Sequence, residues 1–199
     1  VSRTRSRILE LAMCNPWQYF ITLTLASENG DRMDLRSFQR SLSKWLNNLN
    51  QRHGLKIRYL LIPEPHDDGA WHFHGLLMGV PLDMFRPFTL EEHLPYRIRE
   101  KLLAGETVYD WPGYARKFGY VACEPIRNSL ACAFYVTKYI TKELNTGMAR
   151  LNEKLYLSSH GLKRSQTVYH GPLLRTFVPD FSNDYVAVKS FRSLREAID

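Results

Sequence analysis

The elements that the sequence predicts run in the order β-α-β-β-α-β-α, which is that of an α+β fold: an antiparallel β-sheet with flanking helices on one face, ferredoxin-like or palm-like in arrangement. Three observations lead there. The 199 residues are 44% apolar, enough to build the core of one domain. Runs of aromatic and β-branched residues bounded by turn residues recur along the chain, and apolar residues at helical spacing fill the intervals between them. No run of about 18 apolar residues is present, which excludes an ordinary membrane span, and no repeat or linker divides the chain, so residues 1–199 read as a single domain.

Residues 17–26, Trp-Gln-Tyr-Phe-Ile-Thr-Leu-Thr-Leu-Ala, read as a strand entering the turn Ser27-Glu-Asn-Gly-Asp31. Asp34 can cap a helix that presents Leu35, Phe38, Leu42, Trp45, Leu46 and Leu49 on one side and stops near His53-Gly54. Strands from Lys56 to Pro63 and from Trp71 to Val80 flank Glu64-Pro-His-Asp-Asp-Gly-Ala70, which reads as a hairpin connection. Leu90, Leu94, Ile98 and Leu102 are at helical spacing between Thr89 and about Leu103, although Pro95 must shorten or kink that helix. A fourth strand at 118–124 precedes a helix, capped by Asn128 or Ser129, that turns Ala133, Val136, Ile140 and Leu144 to the core. Beyond residue 150, Leu155–Ser159 and Gln166–Val178 are candidate extra strands.

Lys and Arg number 27 against 20 Asp and Glu, giving a net charge of +7, and the pI is near 9.4. Arginine outnumbers lysine 18 to 9, and its planar fork suits phosphate. With 13% aromatic residues, this puts nucleic acid first among partner classes. Cys14, Cys123 and Cys132 form no CxxC pair and are odd in number, which argues against a disulfide framework or a structural zinc and for reduced, buried thiols in a cytoplasmic protein. Arg3, Arg5 and Arg7 read either as a flexible phosphate-contacting arm or as a solubilising end.

Trp71-His-Phe-His-Gly-Leu-Leu77 carries the chemistry. In a strand, His72 and His74 project from one face, alternating with Trp71, Phe73 and Leu77 on the other. An isolated pair of this kind is most often two satisfied, partly buried histidines. Glu64 changes the weight, because a hairpin pairing 57–64 with 71–79 lets its carboxylate reach the same ion as a third ligand. Two imidazoles and a carboxylate leave coordination positions open and suit Mn²⁺, or Mg²⁺ when a phosphate oxygen completes the shell. His66, two residues from Glu64, fits the turn better than the ligand set.

In the last helix, Tyr135, Lys138, Tyr139 and Lys142 share one stripe, opposite the core positions. Packing does not require such a stripe, which could be a solvated amphipathic face. Beside a metal pair in a basic chain it reads as phenol nucleophiles with lysines that neutralise phosphate charge.

With these residues together, the sequence resembles the HUH endonuclease superfamily, and within it the rolling-circle replication initiators of single-stranded DNA phages, plasmids and viruses. Phe20-Ile-Thr-Leu-Thr24 resembles the first motif of that family. Glu64 with His72-Phe-His74 resembles the second, and Tyr135-Val-Thr-Lys-Tyr-Ile-Thr-Lys142 the doubled-tyrosine third. The likeness spans about residues 17–145. It implies metal-dependent nicking of single-stranded or hairpin origin DNA through a 5′-phosphotyrosyl intermediate, with a free 3′-OH that primes synthesis. It implies Tyr135 and Tyr139 as nucleophiles, Tyr139 if only one serves, with Lys138 and Lys142 at the phosphate and Glu64, His72 and His74 on Mn²⁺ or Mg²⁺. It also implies work in the cytoplasm of a bacterial host. The chain has no G-x-x-x-x-G-K-[ST] loop, so a separate helicase and a host polymerase are the expected partners.

Lys138, Lys142, Arg150, Lys154, Lys163, Arg164 and Arg175, interleaved with Tyr156 and Tyr169, suit a groove that tracks phosphates and stacks bases. Residues 150–199 are accordingly expected to be a DNA-contacting extension. A single-strand transposase, a relaxase or a non-catalytic nucleic-acid-binding module are the rival readings.

Overall fold

Asp34 accepts a hydrogen bond from the Ser37 amide (3.0 Å) and so caps the longest helix, which ends at Gly54 in the left-handed conformation, φ 62°. Both ends fall where the sequence predicts them. The structure, a computed structural model, describes residues 2–136, 155–167, 176–182, 187–189, 191 and 193–198. These fall in two compact units, Val1–Ser165 and Gln166–Asp199.

In the first unit the elements are α1 (Ser2–Met13), β1 (Tyr19–Thr24), α2 (Leu35–His53), β2 (Arg58–Pro65), β3 (Trp71–Met78) and β4 (Arg86–Pro87). They continue with α3 (Tyr96–Leu103), β5 (Tyr109–Asp110), α4 (Pro112–Lys117), β6 (Val121–Pro125), α5 (129–136 as described) and β7 (Leu157–Ser158). Seven strands form one antiparallel sheet in the order β4-β5-β6-β1-β3-β2-β7. This is an α+β fold built on an antiparallel sheet with flanking helices, as the sequence predicts. The second unit contains a short hairpin of β8 (Phe181–Ser182) and β9 (Ala187–Val188), then α6 (Leu194–Ile198).

The helices cover both faces of the sheet, not one. Alternation along the strands sends Ile21, Leu23, Leu61, Phe73, Leu77 and Val121 to one side, where they bury against Phe38, Leu42 and Leu46 of α2 and Tyr114 of α4. The other side carries Phe20, Leu60, Ile62 and Leu76, covered by Ile8, Leu11 and Ala12 of α1 and by Ala133 and Val136 of α5. The expectation of a loose arginine arm fails for this reason. Ile8, Leu11 and Ala12 give the first residues an apolar stripe, so Arg3, Arg5 and Arg7 belong to a packed helix, with Arg7 paired to Glu10 at 3.0 Å.

Other differences are local. α3 starts only after Pro95, so Leu90 lies outside it and is exposed. The segment bearing β5 and α4 has no clear period in the sequence, yet Tyr114 is fully buried there and donates its hydroxyl to the Thr24 carbonyl at 2.8 Å. Residues 166–167 and 176–178, the described parts of an expected strand, are not in one. The three cysteines are free, but only Cys123 is buried. Asn128, rather than Ser129, caps α5 by accepting the Ala131 amide at 2.9 Å.

Gly75 sets how closely β2 and β3 approach. A Cβ there would collide with the Leu60 carbonyl oxygen and lie 2.9 Å from Leu61 Cα. Gly75→Ala is therefore expected to cost about 2–3 kcal/mol in urea unfolding, the range for forced overpacking.

Candidate metal centre

The β2–β3 register places Glu64 directly across from His72, with His74 across from Ile62. On its other side, β3 pairs His74 with Thr22 and His72 with Thr24 of β1. Directly opposed residues share a face, so the two imidazoles and the carboxylate emerge together. His72 Nε2 lies 3.5 Å and His74 Nε2 3.4 Å from Glu64 Oε2, and the two Nε2 atoms are 2.9 Å apart. All three side chains are buried.

Atoms with these separations lie on a circle of radius about 1.9 Å, just under the roughly 2.0–2.2 Å at which nitrogen and oxygen ligands hold a divalent ion. One ion can touch all three at once. The donor set fits as well, since two neutral imidazoles at 2.9 Å share one proton at most, and a cation replaces that contact with two bonds. Burial, the largest influence, holds His74 below the ordinary histidine pKa; the hydrogen bond to Glu64 opposes this, while His72 and Arg97 push it further down. His74 is thus kept neutral, the form that binds metal. Its Nδ1 is 3.1 Å from Thr22 Oγ1, which orients the ring so that Nε2 faces Glu64. His72 Nδ1 is buried with no hydrogen-bond partner, and the ring of His66, exposed in the turn, stacks on His72 at 3.9 Å.

Two prolines shape this end of β2. Tyr59 donates its amide to Ser159 Oγ (3.1 Å) and accepts from the Ser159 amide (3.0 Å), so alternate residues 59, 61, 63 and 65 turn their backbone amide positions toward β7. Pro63 and Pro65 have no N–H to offer, and among the described residues the β7 ladder ends at Leu61. Glu64 therefore lies beyond the paired stretch of that edge.

α5 packs on the same face. Tyr135 meets Phe20 edge to face (5.3 Å), and Phe20 in turn stacks on His74 (5.9 Å), so one aromatic side chain separates the tyrosine from the histidine. Tyr135 is 38% exposed. Lys138, Tyr139, Lys142, Arg150, Lys154 and Arg175 lie outside the described residues. Lys163 and Arg164 are beside α1: the Lys163 backbone exchanges hydrogen bonds with the Asn15 side chain, and Arg164 Nε lies 2.8 Å from Glu10.

Two contributors were not legible in the sequence. Thr22 is an ordinary strand threonine until the register sets it beside His74. Arg97 on α3, paired with buried Glu124 at 3.3 Å alongside Lys101, adds positive potential near His74.

Residues 18–144 match a family of replication initiators described as Replication-associated protein, ORF2 type. The chain belongs to this family. Membership supports a role in replication initiation and makes DNA the material on which this replication-associated protein works. No curated protein and no solved structure matches the chain. No helix among the described residues is long and apolar enough to cross a membrane.

Mn²⁺ at about a hundredfold over its dissociation constant is expected to raise the melting temperature by about 5–10 °C, from roughly 2.7 kcal/mol of linkage in a chain of this size. The rise should vanish in His72→Ala and in Glu64→Ala. Thr22→Val, which leaves the ligands in place, should weaken Mn²⁺ binding about 10- to 100-fold in a calorimetric titration.

Proposed function

We propose that this replication-associated protein is a metal-dependent nickase and strand transferase for single-stranded or hairpin origin DNA, of the HUH type, with Tyr139 or Tyr135 as nucleophile. The observation that carries the proposal is the convergence of Glu64, His72 and His74 on the sheet face against which the tyrosine-bearing helix packs. A binding module needs no buried triad of neutral and anionic ligands, whose burial costs free energy unless something occupies it. The family match favours replication over the transposase and relaxase settings of the same chemistry.

A divalent ion held by the triad, Mn²⁺ or Mg²⁺, would supply Lewis acidity to a bound phosphodiester. The phenol oxygen attacks phosphorus, the new tyrosine O–P bond forms as the P–O3′ bond breaks, and the phenol proton ends on the departing 3′ oxygen. The 5′ phosphate stays on tyrosine, and the 3′-OH is free to prime synthesis. Because one phosphodiester replaces another, the strand can be rejoined without ATP. Lys138 and Lys142, one and two helical turns on from Tyr135, are assigned to the phosphate charge. Arg150, Lys154, Lys163, Arg164 and Arg175 are assigned to the strand beyond, with Glu10 needing to release Arg164 for that purpose. Unwinding is assigned to a separate helicase, extension to a host polymerase, and the whole process to the bacterial cytoplasm.

Incubation with labelled cognate origin strand and Mn²⁺ should give a covalent protein–DNA adduct on a denaturing gel. The adduct should disappear with EDTA, in His74→Ala and in the Tyr135→Phe, Tyr139→Phe double variant. Salt-sensitive binding of the origin without an adduct would instead favour the binding module.

A further inference from the structure

We propose that the outer face of α2 is a second DNA-backbone site, a groove for successive phosphates on the side of the sheet opposite the metal centre. The groove has a volume of about 870 Å³ and runs along α2 to Leu157. Arg36, Arg40 and Lys44 line it, each exposed and each four residues from the next, so three cations stand in a row at steps of about 6 Å. None of the three has a carboxylate partner among the described residues. The carboxylate in the lining, Asp34, is already engaged with the Ser37 amide as the helix cap.

A second observation points to a missing ligand. Gln39 lines the same groove and is 9% exposed, yet its Nε2 is buried with no hydrogen-bond partner. An unmade bond of that kind is costly in a free protein, and a phosphate or sugar oxygen could satisfy it. Asn47 offers a further neutral donor. Forked guanidinium groups with amide donors between them suit a phosphate backbone, which is read without regard to sequence.

α2 buries Phe38, Leu42 and Leu46 against the sheet face away from His72 and His74. A strand held at the metal centre therefore does not occupy this groove, and the DNA here is another part of the same molecule, such as the flanking region of the origin. This inference rests on DNA being the substrate and not on the nicking chemistry.

The test uses the full chain in EDTA with a labelled mixed-sequence 40-nucleotide single strand, followed by anisotropy at several salt concentrations. The Arg36→Ala, Arg40→Ala, Lys44→Ala variant should bind at least about tenfold more weakly at low salt, with the log–log salt slope reduced by about 2, from roughly 0.7 per phosphate. Gln39→Met should also bind more weakly while melting at the same or a higher temperature. Unchanged affinity and slope in the triple variant would overturn the proposal. A polyglutamate peptide that binds the native protein more tightly than the oligonucleotide does, and loses that affinity in the triple variant, would overturn it in favour of an acidic protein partner. The Mn²⁺-dependent adduct reads the other face independently, so failure there and failure here are distinguishable.

Discussion

The register of the β2–β3 hairpin is the constraint on which the site depends. A slip of one residue would turn Glu64 toward α2 and leave His72 and His74 facing an apolar helix cover with no carboxylate. The register is held by what surrounds it. Phe73 and Leu77 on one face and Leu76 on the other are buried in different clusters, so a slip would exchange core for core on both sides and put two imidazoles into the packing of α2. Gly75 permits the close approach that brings the strands together. The turn at 66–70, folded by the His66–Ala70 and Gly69–His66 hydrogen bonds, closes the hairpin just beyond the ligands.

Burial then gives the cluster its chemistry. In water, two imidazoles and a carboxylate would titrate independently; here His74 is held neutral by burial and oriented by Thr22. The same face must leave room for a substrate, and the chain uses prolines for part of that. Pro63 and Pro65 deny the β2 edge two donors beside Glu64, and the nearest described edge strand ends short of it. The result is a buried ligand set near the limit of a sheet rather than at its centre.

Much of this was readable in the sequence because it depends on period and spacing. His-Phe-His in a β-branched and aromatic environment specifies a shared face, and Asp34 to Gly54 specifies a helix, whatever the tertiary structure. The rest depended on contacts between distant segments. α1 looked like a basic tail because its charges are frequent and its apolar stripe is short, and only the second apolar face of the sheet makes that stripe a packing surface. Helices on both faces went unforeseen for the same reason. Thr22 and Arg97 act on His74 from β1 and α3, and no spacing in the chain announces them. The tyrosine stripe was legible as far as Tyr135, whose contact with Phe20 joins α5 to the histidine face.

The central claim is that Glu64, His72 and His74 hold one divalent cation on the face covered by α5. Electron spin-echo spectroscopy of Mn²⁺ added in equal amount to the native chain tests it most directly. One bound ion with couplings to two histidine nitrogens is expected, falling to one nitrogen in His74→Ala. Mn²⁺ that remains free in solution, or that binds without nitrogen coupling, would contradict it.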